Sequence, residues 1–200
     1  MSTCLLQYRC APGQTFEFEQ HLSLLVEKPG AEAVADTAEI GYTVAVAETH
    51  ADGSVSLEIR AVVKKQFDLY PALQDEKSTC HMSGRGQLLS ADPRPPVIPF
   101  IVFPEAPVAL KACWKSVESS SQTPVSMEHT VTALESVGDD TFAHVVTEGS
   151  TTGEPSLEFY AVRVFSVNGG HLVLGRSVLK SKTAEGVIST LVVEEKLRGV

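Results

Sequence analysis

The chain has 200 residues, 43% of them hydrophobic, with a formal net charge of -9 at pH 7 and a pI near 5.1. That is enough apolar material for a folded core. The acidic balance argues against nucleic acid as a partner, since the few basic clusters, Lys64-Lys65, Lys180 with Lys182 and Lys196 with Arg198, are short and scattered. No apolar run approaches the roughly 20 residues of a membrane helix, and the start "MSTCLLQYRC" lacks the basic, apolar and small-residue regions of a signal peptide. A cytoplasmic protein is expected from the chain as it stands, and a periplasmic or extracellular one if a leader has been removed.

A period of two runs through the sequence and predicts strands. "LLQYRC" places Cys4, Leu6, Tyr8 and Cys10 on one face, and the turn residues "APGQ" follow. In "TFEFEQHLSLLV" the residues Phe16, Phe18, Leu22, Leu24 and Val26 share one face, with Glu17, Glu19, His21 and Ser23 on the other. Next comes "AEIGYTVAVAETHADGSVSLEIRAVV", whose Asp52-Gly53 is the preferred centre of a two-residue hairpin. That turn sets Val46 opposite Ile59, Val44 opposite Ala61 and Tyr42 opposite Val63. A three-residue loop, Ala51 to Gly53, would set Val46 against Glu58 and Val44 against Arg60, so the two-residue choice is preferred. In "FDLYPALQDEKS" a helical turn or two is expected after Asp68, and "SGRGQ" (83–87) reads as a strand bulge.

Six of the eleven prolines lie between Pro93 and Pro107, and the one tryptophan, Trp114, follows them. A linker would leave two single sheets, each with an uncovered apolar face, which is a poor core. "VIPFIVF" is also too apolar for solvent. The segment is therefore expected to cross over within one domain spanning 1–200, divided into a first meander (1–91), a Pro-rich crossover (92–114) and a second meander (115–200). Ile98, Phe100, Val102 and Phe103, with Trp114, are expected to press on the face carrying Phe16, Phe18 and Val44 and to fill the hollow.

At "FPEAPVALKACWKS" the chain resembles a loose group of bacterial β-rich proteins of unknown function, with Lys111 and Ala112 standing where that group carries Gly-Asp. Those proteins are similar in architecture to the half-barrels of periplasmic lipoprotein carriers. The resemblance implies a curved antiparallel sheet around an apolar hollow and implies no catalytic residues.

In the second meander, "VSMEHTVTALESVGDDTFAHVVTEG" turns at Gly138-Asp139, aligning Val131 with Val146, His129 with Glu148 and His144 with Ala133. "SLEFYAVRVFSVNGGHLVLGRSVLKSK" turns at Asn168-Gly169, read as type I′, pairing Phe165 with Leu172 and Phe159 with Val178. A last strand, "GVISTLVVEEKL", follows the turn Ala184 to Gly186. The fold class is thus all-β: about ten long antiparallel strands in a curved meander, half-barrel or sandwich-like.

Chemistry is sparse. There is no G-x-S-x-G elbow, H-E-x-x-H or P-loop, and His129 and His144 stand roughly 13 Å apart in the expected register, too far to share a metal. Asp139-Asp140 and Glu194-Glu195 read as solvated charge. Cys4 and Cys10, roughly 20 Å apart on one strand, cannot form a disulfide, and with Cys80 and Cys113 they are expected as free thiols. No enzyme, metal or cofactor is expected. The first reading is a structural or protein-interaction role, with a protein partner or self-association. The alternative is a module binding a lipid or acyl chain on the apolar face of Phe16, Phe18, Leu22, Val44, Val46, Ile59, Phe100 and Trp114.

Overall fold

The computed structural model describes residues 3–69, 73–92, 100–118, 125–151 and 155–200. Within them the alternating segments form β2 (Thr15–Glu27), β3 (Val34–Thr49), β4 (Val55–Lys65), β5 (Glu76–Met82), β6 (Leu88–Asp92), β8 (Cys113–Glu118), β9 (Val125–Val137), β10 (Asp140–Thr151), β11 (Ser156–Ser166), β12 (His171–Lys182) and β13 (Ile188–Gly199), with two short strands, β1 (Thr3–Cys4) and β7 (Val108–Ala109). The long strands make one curved, unclosed antiparallel sheet in the order β6-β5-β4-β3-β2-β13-β12-β11-β10-β9-β8. The two meanders join because the last strand, β13, pairs with β2, Leu191 opposite Leu24 and Val193 opposite Leu22.

One face of this sheet carries the core. Phe16, Phe18, Leu22, Val44, Val46 and Ile59 lie in a single core with Val131, Val145, Phe165 and Leu172 from the second meander. Two segments lie over that inner face. The first is the extended run 3–10, of which only Thr3–Cys4 belongs to a ladder, with β7. This corrects the expected strand "LLQYRC", although Leu6 and Tyr8 are buried as its alternation requires. Tyr8 N–H donates to Gly84 O and Arg9 N–H to Gly170 O, so the run ties a hairpin loop of one meander to a hairpin loop of the other.

The second covering segment is the described part of the crossover, Phe100 to Ala112. Ile101 and Phe103 are each 1% exposed and join the core of Phe16, Phe18 and Val44, with Phe100 and Trp114 packed against it. Val102 faces the other way, and its carbonyl accepts from Trp114 Nε1 at 2.7 Å. The buried residues are thus Ile101 and Phe103, not Val102. Ile98 lies outside the described residues, as do 70–72 of the expected helical turn.

Bulges correct the registers. The first hairpin is the three-residue loop after all: His50 N–H donates to Ser54 O and Gly53 N–H to His50 O. Ala47 then bulges, restoring the faces, so that Val46 meets Leu57, Val44 meets Ile59 and Tyr42 meets Ala61. Ser83–Gln87 repeats this hydrogen-bond pattern and is a hairpin loop between β5 and β6, not a bulge. Thr132 bulges in β9, placing Val131 opposite Val145 and His129 opposite Thr147, while His144 does face Ala133. Val173 bulges in β12, so Phe165 meets Leu172 as expected but Phe159 meets Leu179. That loop runs over Val167 to Gly170. Its positive φ belongs to Gly170 (66°), so Asn168-Gly169 is not a type I′ centre.

Candidate functional site

Because side chains alternate along a strand and pair across it, the inner face is a stack of rows. At the loop end is a cleft of about 30 Å³ lined by Tyr8, Cys10, Phe16, Phe18, Val44 and Phe100, with Leu57, Met82, Leu172 and His171 completing it. Four of the expected site residues therefore share this cleft. Leu22, Val46 and Ile59 pack in the core without lining it, and Trp114 stands near the far edge of the sheet, on β8.

An aromatic layer closes the cleft below. Tyr8 contacts Phe100, Phe103 and Phe165 at ring-centroid distances of 5.3 to 5.6 Å, and Phe18 stacks on Tyr42 at 4.9 Å. The Tyr8 hydroxyl accepts from Ile101 N–H at 2.9 Å. Burial pushes its pKa well above the usual phenol value.

Beneath the aromatics lies a polar row that sequence reading missed. Val145, Arg163, Gly175, Glu195, Gln20 and Ile40 stand side by side across β10, β11, β12, β13, β2 and β3. Glu195 Oε2 accepts from Tyr42 Oη at 2.9 Å and from Gln20 Nε2 at 3.3 Å. Arg163 Nε is 3.8 Å from Glu195 Oε1, with both side chains less than a tenth exposed. The pair meets across Gly175, where an added Cβ would lie 2.7 Å from Glu195 Oε1 and 3.3 Å from Arg163 Cγ. Glu195 is thus buried, correcting its reading as solvated charge, whereas Glu194 is exposed and pairs with Arg176. Asp140 also departs from that reading, since it accepts from Ser166 Oγ and Asn168 N–H and so holds the β11–β12 loop. Burial, then the charge of Glu195, raises the Tyr42 pKa well above its ordinary value.

A sequence signal for this row existed. Gln20 is in phase with Phe16, Phe18 and Leu22; Arg163 with Phe159, Ala161 and Phe165; Glu195 with Leu191, Val193 and Leu197. A polar residue in phase with an apolar face is buried with it, and must then find a partner.

Toward the β8 edge, His129 is buried. Its Nε2 is 2.7 Å from Ser116 Oγ and its Nδ1 is 2.9 Å from Thr147 Oγ1, and Trp114 stacks on the ring at 5.1 Å. Burial, with a smaller effect from Arg163, lowers its pKa to about 4. The imidazole is therefore neutral at pH 7 and a weak base.

Below the row of Ala161 and Ser177 comes another, Met127–Gly149–Phe159–Leu179–Leu191–Leu24. Its apolar side chains are half-buried, and Leu179 is 37% exposed, although they sit on the inner face. It is thus an open apolar stretch of that face.

No family model matches the chain, and no curated protein does. Among solved structures it is similar to a LolA superfamily protein from Nitrosomonas europaea, at 13% identity over 95% of this chain and 89% of that chain, with a TM-score of 0.23.

Proposed function

We propose that the protein is a non-catalytic binding module that holds one apolar chain, such as an acyl chain, along the inner face of its open sheet. The observation that carries this reading is the half-exposed row of Met127, Phe159, Leu179, Leu191 and Leu24. Apolar side chains aligned across five strands and left partly wet gain by a ligand that removes them from water, at about 25 cal/mol per Å². The cleft at Phe16, Phe18, Val44 and Phe100, at about 30 Å³, has room for about two waters and not for a chain. The open row is thus the better seat.

The test is a titration of delipidated protein with a fluorescent acyl probe. Saturable binding is expected, and Leu179→Glu, which alters a partly exposed position and spares the filled core, should weaken it by about tenfold or more. No saturable binding, or equal binding by a folded Leu179→Glu variant, would refute the reading.

The outer face supports a second reading, self-association. Val146, Val162, Val164, Val178 and Val192 alternate onto the solvent side of β10–β13, beside Tyr160 and Leu174, each 44% exposed. A dimer that light scattering detects and Tyr160→Glu dissolves would favour it; a monomer at all concentrations would exclude it.

A further inference from the structure

We infer that Arg163 selects the head of the bound chain, and that the group it takes is a neutral carbonyl, that of an acyl ester or amide, and not a free carboxylate. This rests on the apolar-chain reading above. Arg163 is among the most buried charged residues of the molecule, yet its donors are poorly used. Among the described residues it makes one hydrogen bond, Nη2 to Ser177 Oγ at 3.4 Å, and Nε has no hydrogen-bond partner. A buried guanidinium holds many N–H groups that each favour an acceptor. The guanidinium carbon lies 5.8 Å from the Phe159 ring centroid, and Ser177 is one row nearer the open stretch. The under-used cation therefore stands at the inner end of the place where the chain would lie.

Charge decides the class of head group. Glu195, held in place by Tyr42 and Gln20, already faces the guanidinium. The titratable groups Tyr8, Tyr42 and His129 near it are neutral at pH 7, so they add no charge of their own. A second carboxylate would leave a net negative charge in a desolvated interior beside Glu195, which is costly. A carbonyl oxygen brings no charge and satisfies the idle N–H groups. Gly175 matters here, because any side chain at that position would fill the gap over which the guanidinium and Glu195 meet.

The experiment compares glycerol monododecanoate with dodecanoate, equal in chain length, by calorimetric titration of the delipidated protein at pH 8. The monoester should bind about tenfold more tightly or better, and its binding should shift the Nε–H resonance of Arg163 in protein labelled with ¹⁵N-arginine. Glu195→Gln, which leaves the guanidinium charge unmatched, should reverse the preference. Equal or tighter binding of dodecanoate by the unaltered protein, or an Arg163 resonance indifferent to the monoester, overturns the inference while leaving the chain-binding reading intact. If neither compound binds, the chain-binding reading itself fails and takes this one with it. Both decisive readouts use the unaltered protein, so they stand even where Glu195→Gln does not fold.

Discussion

Lys111 is the one non-glycine residue among those described that holds a positive φ, 66°, in the turn between β7 and β8. Its N–H donates to Val131 O, which ties the turn to β9. A left-handed conformation strains any residue with a Cβ. Lys111→Gly should therefore raise stability by about 0.5–1 kcal/mol in urea unfolding; an unchanged or lower midpoint would show that the turn does not strain the side chain. His129 sets a pH dependence of determinable sign. Its pKa falls from 6.5 in the unfolded chain to about 4 in the fold, because burial penalises the imidazolium. The unfolded chain then takes up the proton first, so stability is full above pH 6.5 and declines as pH falls toward 4, by up to about 3 kcal/mol. Unfolding free energies at pH 7 and pH 4.5 should differ less in His129→Gln than in the unaltered protein. Identical pH slopes would remove His129 as the cause.

At the scale of elements, the hairpin loops do different work despite a shared hydrogen-bond pattern. Gly53 (φ 80°) ends a loop in open space, whereas Gly86 (φ 89°) sits under the crossover, where an added Cβ would lie 2.2 Å from Ile101 O and 2.6 Å from Tyr8 Cε2. Gly53→Ala should cost about 1–2 kcal/mol, the strain of a left-handed alanine. Gly86→Ala should cost clearly more, because it also pushes Ile101 and Tyr8 from the core. Equal costs in parallel denaturation curves would mean that the crossover does not rest on this loop. The covering segments are themselves anchored by few main-chain bonds to the rest of the sheet: Tyr8 to Gly84, Arg9 to Gly170, Phe103 to Arg85, and Lys111 and Ala112 to Val131. Their attachment comes mainly from buried side chains, which explains how stretches without a long ladder can cover the inner face.

For the whole molecule, the distribution of thiols reports which parts stay closed. All four cysteines are unpaired: Cys80 is buried, Cys4 and Cys10 are half-buried and Cys113 is exposed on β8. Burial pushes the thiols of Cys10 and Cys80 up to about 11, which suppresses the reactive thiolate. A disulfide reagent at pH 8 should therefore modify Cys113 first, with Cys80 and Cys10 reacting slowly until the protein unfolds, when all four titrate. Fast reaction of Cys80 in native protein would mean that the β4–β5 region opens readily.

Much of this architecture was legible in the residues alone. The period of two names the face on which each side chain falls, and that does not depend on distant parts of the chain. Phe16, Phe18, Val44, Val46 and Ile59 accordingly share the inner face, Gly138 turns the β9–β10 hairpin, and the proline-rich crossover contributes Phe103 to the core. Registers beyond a turn were not legible, because one extra residue at Ala47, Thr132 or Val173 shifts every later pair and moves the later residues of that strand to the other face, as with Val178 and Leu179. Nor was the pairing of β13 with β2, since alternation identifies a face and is silent on which edge a strand joins. Arg163 and Glu195 could be seen separately as polar residues in phase with apolar faces. Only the tertiary structure set them side by side, because their approach requires β12 to lie between their strands and to present Gly175 at the crossing.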